Sequence, residues 1–266
     1  MIDPMEILRQ KKPLIHCITN PISITLCANG LLAVGAQPIM AEYPEEVAEI
    51  TGNAQALLLN LGNITDARML SMKRAALAAK EQKIPIVIDA VGISCSRLRR
   101  EYLQELLGIC VPTVIKGNYS EIQALCQSNY HTPGVDADYG LTEGAVDHSA
   151  VMLARRYPCL ILASGKVDIL TDGTRLIHIH NGTPQLSRIT GTGCLLGALA
   201  AACLTIQPDL DGLITACAML GISGERAQTT QGTGTFSAGL LDALSTLQWA
   251  DVLNNLKMEE IHIAKL

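Results

Sequence analysis

The feature that most constrains the fold of this chain is a repeated alternation of short apolar runs with longer helical patterns. Runs rich in Ile, Val and Leu predict strands over 14–19, 37–40, 56–61, 85–90, 112–116 and 159–163. The segments between them predict helices over 23–34, 65–82 and 96–107, and a further helix capped by Asn118. Strand–helix–strand units cross over right-handedly and align their strands in parallel. We therefore predict an α/β fold whose largely parallel central sheet is flanked by helices on both faces.

The pattern changes after the sixth predicted strand. Residues 167–171 and 175–180 flank the pair Asp172-Gly173, which is typical of a tight β-hairpin turn. From Thr190 onward we expect an almost entirely helical C-terminal part, and we interpret 128–145 as a surface loop. The chain has 266 residues and contains no long linker or internal repeat, so we predict that 1–266 form a single α/β domain.

Composition excludes several classes of protein. Apolar residues make up 48% and charged residues 17%, which excludes disorder as a description of the whole chain. A net charge of −5 argues against nucleic acid as a partner. The sequence has no uninterrupted apolar run of about 18 residues, so we do not expect a membrane partner. The N-terminus lacks a secretory signal pattern. The nine cysteines include no CxxC pair, and most lie in apolar runs, so we expect free thiols in a reducing cytoplasm.

Polar residues follow several of the predicted strands at the point where each strand ends. In a doubly wound sheet, ligands collect at the carboxyl ends of the strands. The residues at these positions are Asn20, Gly62-Asn63, Asp89, Lys116-Gly117-Asn118 and Ser164-Gly165. Because they come from five different strands, they indicate a ligand site more strongly together than any one does alone.

The segment Thr190-Gly191-Thr192-Gly193-Cys194 precedes an apolar helix. Glycine allows the backbone to approach a ligand closely, and the free amides of a helix's first turn attract anions. Gly191, Thr192 and Gly193 therefore form a candidate anion hole, and we expect the helix field to favour the thiolate of Cys194. Taken alone, the motif is explained slightly better by a glycine-rich turn into a core helix with a buried cysteine, and its spacing is not that of a Walker A loop.

Two acidic residues and one lysine are candidates for handling a polyphosphate and its metal. Asp89 and Glu121 could hold Mg²⁺, largely through water, because this cation prefers carboxylates and retains several water ligands. Lys116 could neutralise phosphate charge. Each has a structural alternative: Glu121 completes a capping box with Asn118, Asp89 caps the turn after its strand, and Lys116 lies on the surface.

The order of these motifs resembles one family along nearly the whole chain. The segment HCITNPIS at 16–23, followed by ANGLLAVGAQPIM at 28–40, is similar to the signature of hydroxyethylthiazole kinases. These are thiamine-salvage enzymes of the ribokinase-like superfamily. The similarity continues through LNLG at 59–62, DAVG at 89–92, KGNYSEI at 116–122, SGKVD at 164–168, GTGC at 191–194 and GTGTF at 232–236. Cysteine at 194 is the discriminating residue, because most of the superfamily has aspartate there.

The resemblance implies ATP-dependent, Mg²⁺-requiring phosphorylation of the primary alcohol of 4-methyl-5-(2-hydroxyethyl)thiazole by a homotrimer with active sites at its subunit interfaces. It assigns thiazole binding to Asn20, Met40 and Gly191, with Gly191 near the substrate hydroxyl. It also assigns ATP binding to Lys116 and Ser164, the anion hole to 191–194, catalysis to Cys194, and Mg²⁺ and phosphate handling to Asp89 and Glu121.

Three departures from the family pattern bear on the nucleotide. The family usually has Arg in place of Lys116, often Thr in place of Ser164, and commonly Pro in place of Ala90. Lysine keeps the charge but loses the two-pronged geometry of arginine, which leaves the nucleotide preference open. Other readings are a kinase for another heterocyclic alcohol such as hydroxymethylpyrimidine, a repair dehydratase for hydrated nicotinamide nucleotides, and a non-catalytic thiazole- or nucleotide-binding protein. The dehydratases have aspartate in place of Cys194.

Overall fold

The computed structural model describes residues 3–127, 130, 132 and 141–263. Within these ranges the strands are β1 (Leu14–Ile18), β2 (Gln37–Ile39), β3 (Ala56–Asn60), β4 (Ile86–Asp89), β5 (Val114–Asn118), β6 (Leu160–Ser164), β7 (Asp168–Thr171), β8 (Leu176–Ile179) and β9 (Met258–Ile261). The helices are α1 (Pro4–Lys11), α2 (Ile24–Ala33), α3 (Val47–Asn53), α4 (Asp66–Gln82), α5 (Arg97–Ile109), α6 (Tyr119–Cys126), α7 (Glu143–Arg156), α8 (Thr192–Leu204), α9 (Leu210–Arg226), α10 (Thr233–Thr246) and α11 (Trp249–Asn255).

All the strands belong to one sheet in the order β2-β1-β3-β4-β5-β6-β7-β8-β9. The strands from β2 to β6 pair in parallel, and those from β6 to β9 pair antiparallel. Parallel neighbours end at the same edge of the sheet, so the residues that follow β1, β3, β4, β5 and β6 lie side by side. This confirms the predicted α/β architecture and the hairpin at Asp172-Gly173 between β7 and β8.

Two apolar cores lie on opposite faces of the sheet. One contains side chains of α1, α2, α8, α9 and α10, and the other contains side chains of α3 to α7. Strand β3 is buried on both sides, because Leu58 belongs to the first core while Leu57 and Leu59 belong to the second. A strand covered on both faces needs an uninterrupted apolar sequence, as β3 has.

The local predictions are mostly confirmed. Helix α4 begins and ends as expected, and the hydroxyl of Thr65 accepts the backbone N–H of Arg68 at 3.2 Å. The prediction of an almost entirely helical C-terminal part is wrong in one respect, because strand β9 follows α11 and pairs with β8. The helices α1, α3 and α7 were not predicted. Most of the loop predicted at 128–145 lies outside the described residues, and α7 begins within it at Glu143.

Within the described ranges, no helix is both long and apolar enough to cross a membrane.

Candidate active site

Three polar side chains lie next to one another near the carboxyl ends of β3, β4 and β5: Asn60 and Asp89 end their strands, and Lys116 lies two residues before the end of β5, which extends further than predicted. Asn60 pairs in register with Asp89, and Asp89 pairs in register with Lys116. The Asn60 Nδ2 atom donates to Asp89 Oδ2 at 3.0 Å, and the Lys116 Nζ atom donates to Asp89 Oδ1 at 3.1 Å. The side chains of Lys116 and Asp89 are only 4% and 1% exposed. Both structural alternatives are therefore wrong: Asp89 forms a buried ion pair, and Lys116 does not lie on the surface.

The charges of this pair depend on each other. Burial raises the pKa of Asp89, while the ammonium of Lys116 and the amide of Asn60 offset part of that rise. Burial alone would lower the pKa of Lys116, but the carboxylate of Asp89 and further acidic neighbours raise it above the ordinary lysine value. Lys116 is therefore a cation, and its charge partly stabilises the ionised form of Asp89.

The start of α8 lies close to this ion pair, and two of its glycines face the paired side chains. An added Cβ at Gly193 would lie 3.9 Å from Lys116 Nζ, and one at Gly197 would lie 3.6 Å from Asp89 Oδ2. Gly191 is the N-cap and has a φ of +96°, a conformation that favours glycine. Since Gly191 has no side chain to accept the first-turn amides, these amides remain suited to an anion.

Cys194 occupies the first turn of α8, as predicted. Its Sγ lies 3.3 Å from Asn60 Nδ2, which also binds Asp89. Burial and the negative charge of Asp89 raise the pKa of Cys194, although hydrogen bonds from Ser23 and Asn60 oppose this shift. The expectation of a thiolate favoured by the helix field is therefore wrong. Burial and the neighbouring carboxylate hold the pKa of Cys194 above the ordinary cysteine value, so the thiol is neutral near pH 7.

Glu121 performs the structural role that was considered for it. Its Oε2 accepts the backbone N–H of Asn118 at 2.7 Å, and the Asn118 side chain accepts the Glu121 N–H at 2.9 Å, which completes a capping box. Its Oε1 accepts the N–H of Gly92 at 2.7 Å. Burial, and then the charge of Asp89, raise the pKa of Glu121 to about 7. The capping role therefore does not exclude a second one, since each carboxylate oxygen has a further lone pair.

The other predicted residues lie on either side of this centre. Ser164 ends β6 beyond β5, where its hydroxyl donates to Gly117 O at 3.3 Å. Met40 follows β2, which is the outermost strand on the other side of the centre, and its half-buried side chain packs against the core that contains α8. Asn20 follows β1, and its Nδ2 lies 2.8 Å from the position of an added Cβ at Gly62. Asn60 Oδ1 lies equally close to that position, so Asn20 and Asn60 approach the same glycine.

Two polar residues of this region were not predicted as site residues. Asn60 contacts both Asp89 and Cys194, and the only signal for it is an amide at the end of the apolar run ALLLN. Asp168 begins β7 and accepts the N–H of Gly165 at 3.1 Å. Burial raises the pKa of Asp168 to about 6. The contact of Asp168 with Gly165 depends on the shape of the turn between β6 and β7, and the periodicity of the strands does not predict that shape.

Comparison with known proteins shows the family to which this chain belongs. The model of the hydroxyethylthiazole kinase family matches residues 5–250. Hydroxyethylthiazole kinase 2 of Clostridium botulinum (strain Hall) is 45% identical over 245 residues, which cover 90% of this chain and 92% of the relative.

Solved structures agree with this result. The structure of the hydroxyethylthiazole kinase from Pyrococcus horikoshii OT3 superimposes with a TM-score of 0.89 at 31% identity, covering 97% of this chain and 98% of that one. A ribokinase-like superfamily protein from Enterococcus faecalis gives a TM-score of 0.64 at 13% identity over 89% of this chain and 88% of its own, which confirms the ribokinase-like fold alone. With most of its length matched by the family model, this chain belongs to the hydroxyethylthiazole kinase family.

Proposed function

We propose that this chain transfers the γ-phosphoryl group of ATP to the primary alcohol of 4-methyl-5-(2-hydroxyethyl)thiazole, in thiamine metabolism. The observation that carries the proposal is the contact of the glycine-rich start of α8 with the Asp89–Lys116 ion pair. Phosphoryl transfer passes through a loose transition state, so it requires positioning and charge stabilisation more than a strong base. First-turn amides beside a buried lysine supply both for a negatively charged group.

The proposed role of each site residue is given by the group that it contacts: the thiazole, the transferred phosphoryl group or ATP. Asn20, Met40 and Gly191 bind the thiazole, and Gly191 lies near its hydroxyl. The amides of Gly191, Thr192 and Gly193 hold the phosphoryl oxygens, and Cys194 is the catalytic residue that contacts the reacting alcohol. Lys116 and Ser164 bind ATP. Lys116 reaches α8 while it remains paired with Asp89, so we expect it to contact the phosphate that is being transferred.

Asp89 and Glu121 fit a divalent cation. Their carboxyl groups are buried, and the charge of Asp89 helps to raise the pKa of Glu121 to about 7, so the two groups interact electrostatically and a cation between them would favour the ionised form of both. The described residues contain no cluster of three or more His, Cys, Asp or Glu, so a bound Mg²⁺ takes its other ligands from water and phosphate. When bound, Mg²⁺ would neutralise phosphate charge in the transition state.

Three further properties belong to the proposal. The homotrimer, with active sites at its subunit interfaces, rests on family membership. A reducing cytoplasm is supported by the nine cysteines, all of which are free thiols. We also propose that residues 1–266 act as one domain, because the single sheet runs through the described part of the chain.

The test is ATP consumption with Mg²⁺ and a panel of alcohols: the hydroxyethylthiazole, hydroxymethylpyrimidine, ribose and pyridoxal. The phosphorylated product is identified by its mass. We expect turnover of the thiazole alone, loss of activity with a chelator, and recovery on adding Mg²⁺. Turnover of another alcohol in place of the thiazole would reject the substrate assignment while retaining a kinase. Binding of the thiazole without turnover would reject catalysis. Sedimentation equilibrium measures the oligomeric state, for which we expect a trimer.

A further inference from the structure

We propose that Asn60 is a positioning residue for phosphoryl transfer, which acts by holding the sulphur of Cys194 in place against Asp89. This inference rests on the proposed function, because it assigns Asn60 a role within that reaction. Asn60 itself is 1% exposed and acts through its two side-chain neighbours rather than on the substrate.

The orientation of the Asn60 amide is determined by the backbone. Its Oδ1 accepts the N–H of Gly62 at 2.8 Å, so the oxygen end of the group points to the turn that follows β3. A reversed amide would place an NH₂ group against that backbone N–H, where two donors would repel each other. The NH₂ end must therefore be the one that faces Asp89 and Cys194.

Both hydrogens of that NH₂ group have an acceptor. One bond reaches Asp89 Oδ2 at 3.0 Å, and the other reaches Cys194 Sγ at 3.3 Å. The amide therefore joins three elements: the end of β3, the end of β4 and the first turn of α8. A buried amide whose donors and acceptor are all used is held in one orientation, and it restricts the groups it contacts.

The side chain of asparagine is specifically required by this arrangement. Aspartate has nearly the same shape and could still accept the N–H of Gly62, but when ionised it has no donor for Cys194 and adds negative charge beside Asp89. Alanine removes the donor without adding charge. In either variant the thiol of Cys194 loses the neighbour that holds it. We therefore expect the catalytic step to suffer while the binding of the thiazole and ATP does not.

The test compares N60A and N60D with the unaltered enzyme, and uses N53A as a matched control. Asn53 is an exposed asparagine at the end of α3 whose Nδ2 donates to Glu49 O. Loss of one hydrogen bond to a charged or reacting group predicts a fall in kcat of about 10- to 100-fold for N60A, with both KM values changed by less than about threefold. We expect N53A to keep the kcat of the unaltered enzyme.

A double-mutant cycle separates positioning from general structural damage. If Asn60 acts through Cys194, N60A lowers kcat by less than about threefold in a C194A background, because the group that it positions is already absent. An equal fold loss in both backgrounds, or a loss that appears in KM alone, would overturn the proposal.

A readout that does not depend on turnover separates this inference from the function. The rate at which iodoacetamide alkylates Cys194 is measured for the unaltered enzyme and N60D, and the site is located by fragmenting the modified peptide. We expect alkylation to slow by about tenfold in N60D, because the donor that favours the thiolate is lost. Unchanged alkylation would overturn the proposal. An unaltered enzyme that does not turn over the thiazole would reject the proposed function, whereas slower alkylation in N60D would still support the contact.

Discussion

Replacing Lys116 with methionine tests the buried ion pair directly. The change leaves Asp89 buried with Asn60 but without a cation, so the folded variant must take up a proton on Asp89. For a carboxyl with an unfolded pKa of about 3.9, this uptake costs about 1.4 kcal/mol per pH unit above that value. Because burial raises the pKa of Asp89 even beside Lys116, part of this cost is already present in the unaltered protein, and we expect K116M to lower the free energy of unfolding by at most about 4 kcal/mol at pH 7 and at most about 1.5 kcal/mol at pH 5.

The sign of the pH dependence is the informative part of this prediction. In K116M the folded protein binds one more proton than the unfolded protein, so the variant regains stability relative to the unaltered protein as the pH falls. Urea unfolding followed by circular dichroism, at one fixed protein concentration, measures both values. The double variant D89N/K116M carries neither charge, and we expect it to recover most of the loss at pH 7 and to show no such pH dependence.

Lys73→Met is the matched control. Lys73 pairs with Glu105 at 2.6 Å, but the two side chains are 36% and 54% exposed. Such a surface pair contributes about 1 kcal/mol or less, and its remaining carboxylate stays hydrated and ionised. An equal cost for K73M and K116M at pH 7, or a cost of K116M that does not diminish at pH 5, would refute the reasoning from burial.

Three further predictions concern the site. C194A is expected to lower kcat by no more than the 10²- to 10⁴-fold typical of a general base, with KM unchanged; a larger loss in steady-state assays would show that the thiol does more than orient the alcohol. G197A is expected to lower kcat by about tenfold or more, because the new Cβ would lie 3.2 Å from Leu58 Cδ1, a tight contact that shifts α8 relative to Asp89. The control G108A, in open space on α5, should raise the stability by about 0.5 kcal/mol in urea unfolding. Because the pKa of Glu121 is raised to about 7, Mg²⁺ should raise Tm more at about pH 8, where this carboxyl is ionised, than at about pH 5.5; an equal shift at both would contradict a role for Glu121 in metal binding.

Much of the fold could be predicted from the sequence, because local pattern and tertiary burial agree there. The run ALLLN predicts a strand covered on both faces, and β3 is such a strand. Thr65 is predicted to be an N-cap, and it caps α4. Strand β9 could not be predicted in this way. Its residues Met258-Glu-Glu-Ile261 are mostly exposed at the edge of the sheet, so they lack the apolar alternation that marks a half-buried strand. Its pairing depends on where β8 lies in three dimensions.

The site could be predicted as a set of strand ends but not as a network of contacts. The carboxyl ends of the strands bring Asp89 and Lys116 together, as a parallel sheet requires. Asn60 was missed because an amide ending an apolar run has no distinctive spacing, and its importance lies in two contacts distant in sequence. The pKa of Cys194 was predicted in the wrong direction for a related reason: the helix start can be read locally, whereas the burial of the thiol and the approach of Asp89 cannot.

A neutral thiol at Cys194 changes how the proposed reaction handles its proton. Asp89 and Glu121 already place two carboxyl groups around one lysine, so a thiolate would add a further negative charge where phosphate must approach. In a loose transition state, the bond from phosphorus to ADP is largely broken before the alcohol oxygen has bonded fully to phosphorus. The alcohol can therefore keep its proton until late and pass it to the transferred phosphate, whose second pKa is about 6. On this account Cys194 orients the hydroxyl, and the amides of Gly191 to Gly193 supply more of the rate enhancement than the sulphur does.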